Sequence, residues 1–375
     1  MATHQSLEVI PARTQARSSY MEFAKLRSGA KYNLASSGMA GLSMAELGVS
    51  IDQLEINPPA GYGYEPLSRA VADRYRVTID CVITTLGTSM ANYFALAACT
   101  DAGDEILVEQ PTYALLLDTS RYLGLEIKRF QRPASADYRI DVDDLQRQIS
   151  SRTKLIVLCN LHNPTGAFTP ESTLREIGAI AKKVGALVLV DEVYLEMLWE
   201  RNPQSAFHID SEVFLSTNSL TKAYGLSGIR CGWILASPEI VRRIRHFEDL
   251  HMGTNVHPAE LMGVIAFQKL DQIAAMQKKR LDENRKLLRE VLESQSILEY
   301  FWPEYGAIIF PRIKGKAATF VERLRSEYEV SVVPGEFFED PQRIRIGVSG
   351  TTESVRVSLE QLRKALERFS TASIR

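Results

Sequence analysis

From about residue 81 the chain alternates two hydrophobic patterns. Short β-branched and apolar runs fall at 81–84, 105–108, 125–130, 155–158 and 186–190, and again at 213–215 and 233–235. Between the first five lie stretches at 90–100, 112–123, 142–149 and 170–184, where apolar residues recur every three or four positions. The runs predict strands buried on both faces, and the intervening spacing predicts helices. A strand–helix alternation of this length predicts an α/β architecture, a mostly parallel sheet covered on both faces. In such sheets ligands collect at the carboxyl ends of the strands.

After Trp233 the pattern changes. Residues 238–250 and 258–292 predict two long helices, the second carrying the charged face Lys278-Lys279-Arg280-Leu281-Asp282-Glu283, which reads as solvated. The last ninety or so residues mix short strands at 307–310, 330–333 and 344–348 with helices, the signature of a separate α+β lobe. Ahead of the sheet, residues 1–30 are polar, with a short helical pattern at 20–26, and read as an arm lying on another surface. Two loops follow, Tyr32-Asn33-Leu34-Ala35-Ser36-Ser37-Gly38 and Pro58-Pro59-Ala60-Gly61-Tyr62-Gly63-Tyr64, then an amphipathic helix over 66–75. Gly61 and Gly63 do not make a dinucleotide fingerprint, because Pro66 holds the third glycine position and no strand leads in.

Composition narrows the function classes. A chain of 375 residues with net charge −2 is long enough for a large core and a second lobe, and it offers no basic footprint for nucleic acid. No apolar run is long enough to cross a bilayer, and the first nineteen residues lack the apolar segment of a signal peptide. The four cysteines, Cys81, Cys99, Cys159 and Cys231, lie in apolar contexts without a CxxC pair. They predict reduced thiols of a cytoplasmic protein and no metal site.

The candidate chemistry falls at strand ends. Ser219-Leu220-Thr221-Lys222 and Arg230 lie between the apolar runs 213–215 and 233–235. A lysine held between buried strands is costly unless paired, neutralised or covalently used. Ser219 and Arg230 beside it carry donors suited to a phosphate, so Lys222 suggests a Schiff base to pyridoxal phosphate. Gly87-Thr88-Ser89 opens a predicted helix, where free N–H groups favour an anion. Asn163 follows one buried strand and Asp191 ends the next, with Tyr194 three residues on. A carboxylate at Asp191 facing a pyridine nitrogen would keep that nitrogen protonated. Tyr113 could stack on such a ring, and Arg345 could take a carboxylate with two bonds. Each also has a plain reading: a turn for Asn163, a helix cap for Asp191, core packing for Tyr113, a surface strand for Arg345. His162 reads as structural.

Taken together, Asn163-Pro164-Thr165-Gly166, Asp191 with Tyr194, and Ser219-Leu220-Thr221-Lys222 with Arg230 resemble the class I and II aminotransferases of fold type I. The resemblance runs from about Tyr32 to Arg375. It implies a large domain with a mostly parallel seven-stranded sheet between helices, plus a smaller α+β domain. The division would be 1–45 as arm and part of the small domain, 46–265 as the large pyridoxal-phosphate domain and 266–375 as the small domain. It implies pyridoxal 5'-phosphate as cofactor, with Lys222 its covalent tether and acid/base, and Asp191 on the ring nitrogen. Asn163 and Tyr194 would meet the ring oxygen. Gly87, Thr88, Ser89, Ser219 and Arg230 would hold the phosphate with Thr221, and Tyr113 would stack on the ring. Arg345 would bind the substrate carboxylate, with Asn163 and Gly38 nearby. It further implies a homodimer with shared active sites, in which Tyr62, or else Tyr64, reaches the partner's phosphate. The small-molecule partners would be an L-amino acid and a 2-oxo acid.

One segment departs from that pattern. Ser36-Ser37-Gly38-Met39 lacks the Gly-x-Pro turn of many relatives and is similar to capreomycidine-synthase-type enzymes. That likeness implies a cyclase or lyase, working by β- or γ-elimination, as the alternative to transamination. A ligand-sensing regulator is a third reading, but residues 1–30 are too short for a helix-turn-helix domain.

Overall fold

The computed structural model describes residues 17–199 and 204–372, so the first sixteen residues of the expected arm lie outside the described residues. The chain begins with α1 (Ser19–Glu22), a π turn over Phe23–Arg27, β1 (Tyr32–Asn33), α2 (Met44–Leu47) and α3 (Glu65–Tyr75). The alternation then runs β2 (Val82–Leu86), α4 (Gly87–Cys99), β3 (Glu105–Gln110), α5 (Ala114–Tyr122), β4 (Glu126–Gln131) and α6 (Val142–Gln148). It continues with β5 (Thr153–Cys159), α7 (Glu171–Val184), β6 (Leu187–Asp191), β7 (Phe214–Ser219) and β8 (Cys231–Leu235).

Strands β2 to β8 form one seven-stranded sheet in the order β2-β8-β7-β6-β5-β3-β4, mostly parallel as the alternation predicts and seven-stranded as the resemblance implies. Only β8 is reversed, antiparallel to both β2 and β7. Alternate residues feed two cores. Ile106, Val108, Leu155, Val157 and Leu189 pack with Phe94 and Leu96 of α4, while Leu107, Ile156, Leu158 and Val188 pack with Leu174 and Ile177 of α7. Burial on both faces explains why the strands read as continuous apolar runs instead of alternating ones. Each fully buried aliphatic side chain contributes about 1.5–3 kcal/mol, so the sheet is a stiff platform. Strand order reverses between β3 and β5, and their carboxyl ends open the crevice where such folds bind ligands.

Three helices follow: α8 (Pro238–His251), α9 (His257–Phe267) and α10 (Leu270–Glu293). The single helix expected over 258–292 is therefore two. No glycine or proline marks the break. Lys269 leaves the helical conformation there, and its ammonium donates to the Leu47 carbonyl at 2.7 Å, a tertiary contact without a local signal. The C-terminal lobe holds β9 (Leu298–Glu299), β10 (Ile308–Ile309), β11 (Arg312–Ile313), α11 (Ala317–Tyr328), β12 (Val330–Ser331), β13 (Val333–Pro334), β14 (Ile344–Gly347) and α12 (Thr352–Ala372). The run at 330–333 splits between two sheets: β12 pairs with β1, and β13 with β14. Residues 32–33 are thus stitched to the C-terminal lobe, far from them in sequence. No helix among the described residues is long and apolar enough to cross a membrane.

Candidate active site

A cavity of about 670 Å³ opens at the carboxyl ends of β5, β6 and β7. Its wall includes Thr88, Ser89, Tyr113, Asn163, Asp191, Tyr194, Ser219, Thr221, Lys222 and Arg230, ten positions singled out from the sequence. Most lie at or just after the carboxyl end of a sheet strand, Asp191 ending β6 and Ser219 ending β7.

At one end lie groups suited to an anion. Helix α4 starts at Gly87 with no side-chain cap, which leaves first-turn N–H groups to bind a ligand. The Thr88 hydroxyl donates to Ser219 Oγ at 2.8 Å, and the Thr221 N–H donates to the same oxygen at 3.3 Å. The Thr221 hydroxyl is buried without a partner among the described residues. Arg230, in the left-handed region at φ 51°, donates to the Leu86 carbonyl at 3.1 Å and so lies across the helix start. Gly87 has φ +76°, and a Cβ there would collide with the Arg230 guanidinium. Glycine is needed for both reasons.

At the other end Asp191 is 3% exposed. Burial raises its carboxyl to about 6, against the opposing pull of hydrogen bonds from Asn92 and the Val193 N–H and of the Lys222 charge. Burial, with the charges of Arg345 and Arg230, lowers the Lys222 amine to about 8. Half-buried, Lys222 has its backbone carbonyl tied to the Met39 N–H at 2.8 Å. Gly38 lies against it, where a Cβ would meet Lys222 Cδ at 3.2 Å and the Thr221 carbonyl at 3.3 Å.

The loop after β5 presents Asn163. Asn160 closes it with two bonds to Thr169, each 3.0 Å. Fully buried His162 bonds Thr165 Oγ1 at 2.6 Å and the Pro111 carbonyl at 2.9 Å, and burial holds it well below the usual histidine range. It is a neutral strut, as expected. Beneath the loop, Arg132 donates to Glu109 at 2.6 Å with both side chains wholly buried, and Glu109 also accepts from the Cys159 N–H at 2.7 Å.

Arg345 lies behind the cavity wall, 1% exposed. It donates to Asn163 Oδ1 at 3.0 Å, the Ala35 carbonyl at 3.0 Å and the Tyr20 hydroxyl at 3.3 Å, while its Nε has no partner among the described residues. Arg343 turns elsewhere, to Asp340 at 2.8 Å. The N-terminal helical stretch lies on this chain's own cavity: Tyr20, Met21, Ala24 and Lys25 line it. The Tyr20 ring meets Tyr113 edge-on at 5.6 Å. Tyr194 lines the cavity, and its hydroxyl donates to Ser37 Oγ at 2.7 Å.

Tyr62 is not brought into the cavity. It is 52% exposed and donates to Asp249 at 3.1 Å, whereas Tyr64 is half-buried with its ring against His257 at 4.8 Å. Sequence reasoning missed Tyr20, Asn92 and Thr217. Asn92 is the detectable one, a lone amide within the apolar α4 (Met90, Ala91, Phe94, Ala95, Leu96).

The residues present fit a phosphorylated pyridine. An uncapped helix start with an orphaned hydroxyl and a guanidinium stands at one end, a buried carboxylate at the other, and a depressed amine between them. The family model for aminotransferase class I and II matches residues 57–362. Capreomycidine synthase of Streptomyces vinaceus is 30% identical over 362 residues, covering 92% of this chain and 90% of that protein. Aspartate aminotransferase of Streptomyces avermitilis is 27% identical over 334 residues, covering 82% and 81%. Among solved structures, a PLP-dependent aminotransferase from Streptococcus suis superposes with a TM-score of 0.85 at 28% identity, covering 91% of this chain and 94% of that one. On its fold, its site and these likenesses together, the chain belongs to the class I and II aminotransferase family.

Proposed function

We propose that this protein is an aminotransferase that moves the amino group of an L-amino acid to a 2-oxo acid. Its cofactor is pyridoxal 5'-phosphate, whose ring, when bound, draws off the electrons left as a substrate α-carbon gives up its proton. The observation that carries the reading is the one cavity that Lys222, Asp191, Asn163, Ser219 and Arg230 line together, in which burial lowers the Lys222 amine to about 8. An amine at that value is partly neutral near physiological pH, so it can both tether an aldehyde and take a proton.

The remaining residues have roles that follow from their partners. Lys222 would act as base and then acid, its Nζ taking the proton from the substrate α-carbon and later giving it up. Asp191, when charged, would favour a proton on the ring nitrogen of the bound cofactor. Asn163 has its Oδ1 occupied by Arg345, which leaves its NH₂ to donate to the ring oxygen, with Tyr194 beside it. Thr88, Ser89, Ser219, Thr221, Arg230 and the Gly87 turn hold the phosphate, and Tyr113 covers the ring. Arg345 takes the substrate carboxylate, its free Nε and its fork being suited to two parallel bonds. Gly38 leaves room beside Lys222.

We also infer a homodimer of a cytoplasmic protein. Exposed Tyr62, outside its own cavity, supports the first, with Ile51 and Ile56 exposed at 78% and 81% nearby. Four free cysteines support the second. Pairing of β1 with β12 supports the division of the chain into 1–45, 46–265 and 266–375, with the first segment joining the last.

A second reading is favoured by one segment. Ser37 of Ser36-Ser37-Gly38 accepts the Tyr194 hydroxyl, and capreomycidine synthase is the relative at 30% identity. Under that reading the protein is a cyclase or lyase acting by β- or γ-elimination. Incubation of the holoenzyme with a panel of amino acids separates the two. Stoichiometric keto acid, with conversion of the cofactor to its amine form, supports transamination. A cyclic or unsaturated product without keto acid overturns it.

A further inference from the structure

We propose that Asn92 and Thr217 are positioning residues that lock Asp191 as a charged acceptor facing the cavity, so that α4 fixes both ends of the cofactor. The inference rests on the reading of Asp191 as partner of the ring nitrogen. Asp191 is too buried for water to orient it. Its Oδ1 accepts from the Val193 N–H at 3.1 Å, and its Oδ2 accepts from Asn92 Nδ2 at 2.8 Å. A backbone N–H can only donate, but an amide has two faces. Turned over, Asn92 would present an oxygen to the carboxylate, and Asp191 would have to keep a proton.

Thr217 opposes that turn, which would replace the present O–H···O bond by one in which its hydroxyl has to accept. Thr217 lies opposite Asp191 in the register of β6 and β7, is wholly buried, and donates its hydroxyl to Asn92 Oδ1 at 2.6 Å. A proton count closes the chain. The single Thr217 proton goes to Asn92, an Asn92 proton goes to Asp191, and Asp191 meets donors only. All three groups are then satisfied with the carboxylate charged, whereas a buried amide without partners would be costly. Asn92 stands three residues after Ser89 on the same helix, about 4.5 Å along the axis. The helix that offers its N-terminus to the phosphate therefore also sets the charge at the ring nitrogen. A rigid element spaces the two, where loops would let them drift.

The test uses binding, without turnover. Apoprotein is loaded with pyridoxal 5'-phosphate or with its 1-deaza analogue, which has carbon in place of the ring nitrogen, and both dissociation constants are measured. Wild type should prefer the nitrogen form. Asn92→Leu and Thr217→Val should each lose at least tenfold of that preference, and Thr217→Ser, which keeps the hydroxyl, should retain it. In ¹⁵N-labelled cofactor, the ring resonance should shift toward its unprotonated position in the first two variants only. A wild-type preference left unchanged in Asn92→Leu and Thr217→Val overturns the proposal. Should Asn92→Leu not fold, equal preference in Thr217→Val and Thr217→Ser does so alone. Absence of any preference in wild type would instead overturn the assignment of Asp191 beneath it.

Discussion

Two regions build one cavity by opposite means. The sheet edge supplies Asn163, Asp191, Ser219 and Lys222 from the carboxyl ends of buried strands, where Asp191 and Ser219 Oγ each accept two hydrogen bonds and Asn163 Oδ1 accepts one from Arg345. The N-terminal segment supplies Tyr20, Met21, Ala24 and Ser37 from a four-residue helix, a π turn and the loop after a two-residue strand. Its hold on the site is a few contacts: Tyr20 and Ala35 to Arg345, Ser37 to Tyr194, and Met39 to Lys222. The rigid region carries chemistry that any member of this family needs. Under the proposed function the lightly held one would meet the substrate, where a few exchanges of residue could change what is accepted without unsettling the sheet.

The sharpest way to break this contrast is at Lys222. Lys222→Ala should still bind the cofactor non-covalently while kcat falls by on the order of 10⁵-fold or more, because one side chain is both tether and base. Absorbance titration and single-turnover kinetics check it. Wild-type-like turnover would remove the chemistry from the sheet edge altogether.

Next comes the scaffold under that edge. Arg132→Met leaves the Glu109 carboxylate buried without its partner, in a site where burial already pushes its pKa up. The cost should be about 3–5 kcal/mol of stability, read from denaturant unfolding, with Asn163 displaced as well. The same substitution on the exposed Arg17–Glu22 pair should cost nothing measurable, since both partners are open to solvent. Equal effects would mean that the two regions are equally rigid.

The sequence displayed these regions unequally, for a physical reason. Buried parallel strands are mostly apolar, so Asp191 stands out where its run stops, and Ser219 and Lys222 lie in the polar stretch that follows Leu215. Tyr20 had no such background. Its neighbours are mixed, its helix is one turn long, and its partner Arg345 lies 325 positions away. Asn92 was visible as an odd amide in an apolar helix, but its meaning depends on Thr217 and Asp191, two strands that only the fold brings together. The break at Lys269 and the two-way split at 330–333 were likewise tertiary choices. The phosphate cradle was legible because glycine, small hydroxyls and arginine have few other reasons to cluster.

A pH experiment sharpens the contrast at a smaller scale. Glu192, next to Asp191, is buried among Ser205, Ser216 and Glu196, and burial raises it to about 8. Because the folded pKa lies above the unfolded one, the folded state keeps a proton that the unfolded state has lost. Stability from this group is therefore present below about pH 4.5 and declines as pH rises to about 8, by up to about 1.4 kcal/mol per unit. Glu192→Gln imitates the protonated form. Its stability, relative to wild type, should rise across that window and level off above it. A flat difference from pH 5 to 8 would mean that Glu192 is charged in the fold.

The smallest effect belongs to the N-terminal segment. Tyr20→Phe removes one hydroxyl, which accepts from Arg345 at 3.3 Å, while the ring keeps its edge contact with Tyr113 at 5.6 Å. Arg345 retains Asn163 and the Ala35 carbonyl, so its position should hold. A hydrogen bond to a charged group contributes about 1.5–3 kcal/mol when well made, and one this long should contribute less, so a change of roughly three- to tenfold is expected. It should appear in KM for the amino acid, with kcat and cofactor affinity unchanged, because under the proposed function the lost bond acts on the arginine that would take the carboxylate and not on the lysine that would move the proton. A matching loss in kcat would mean that the segment shares in the chemistry, and the division of labour between a rigid edge and an adaptable cover would fail.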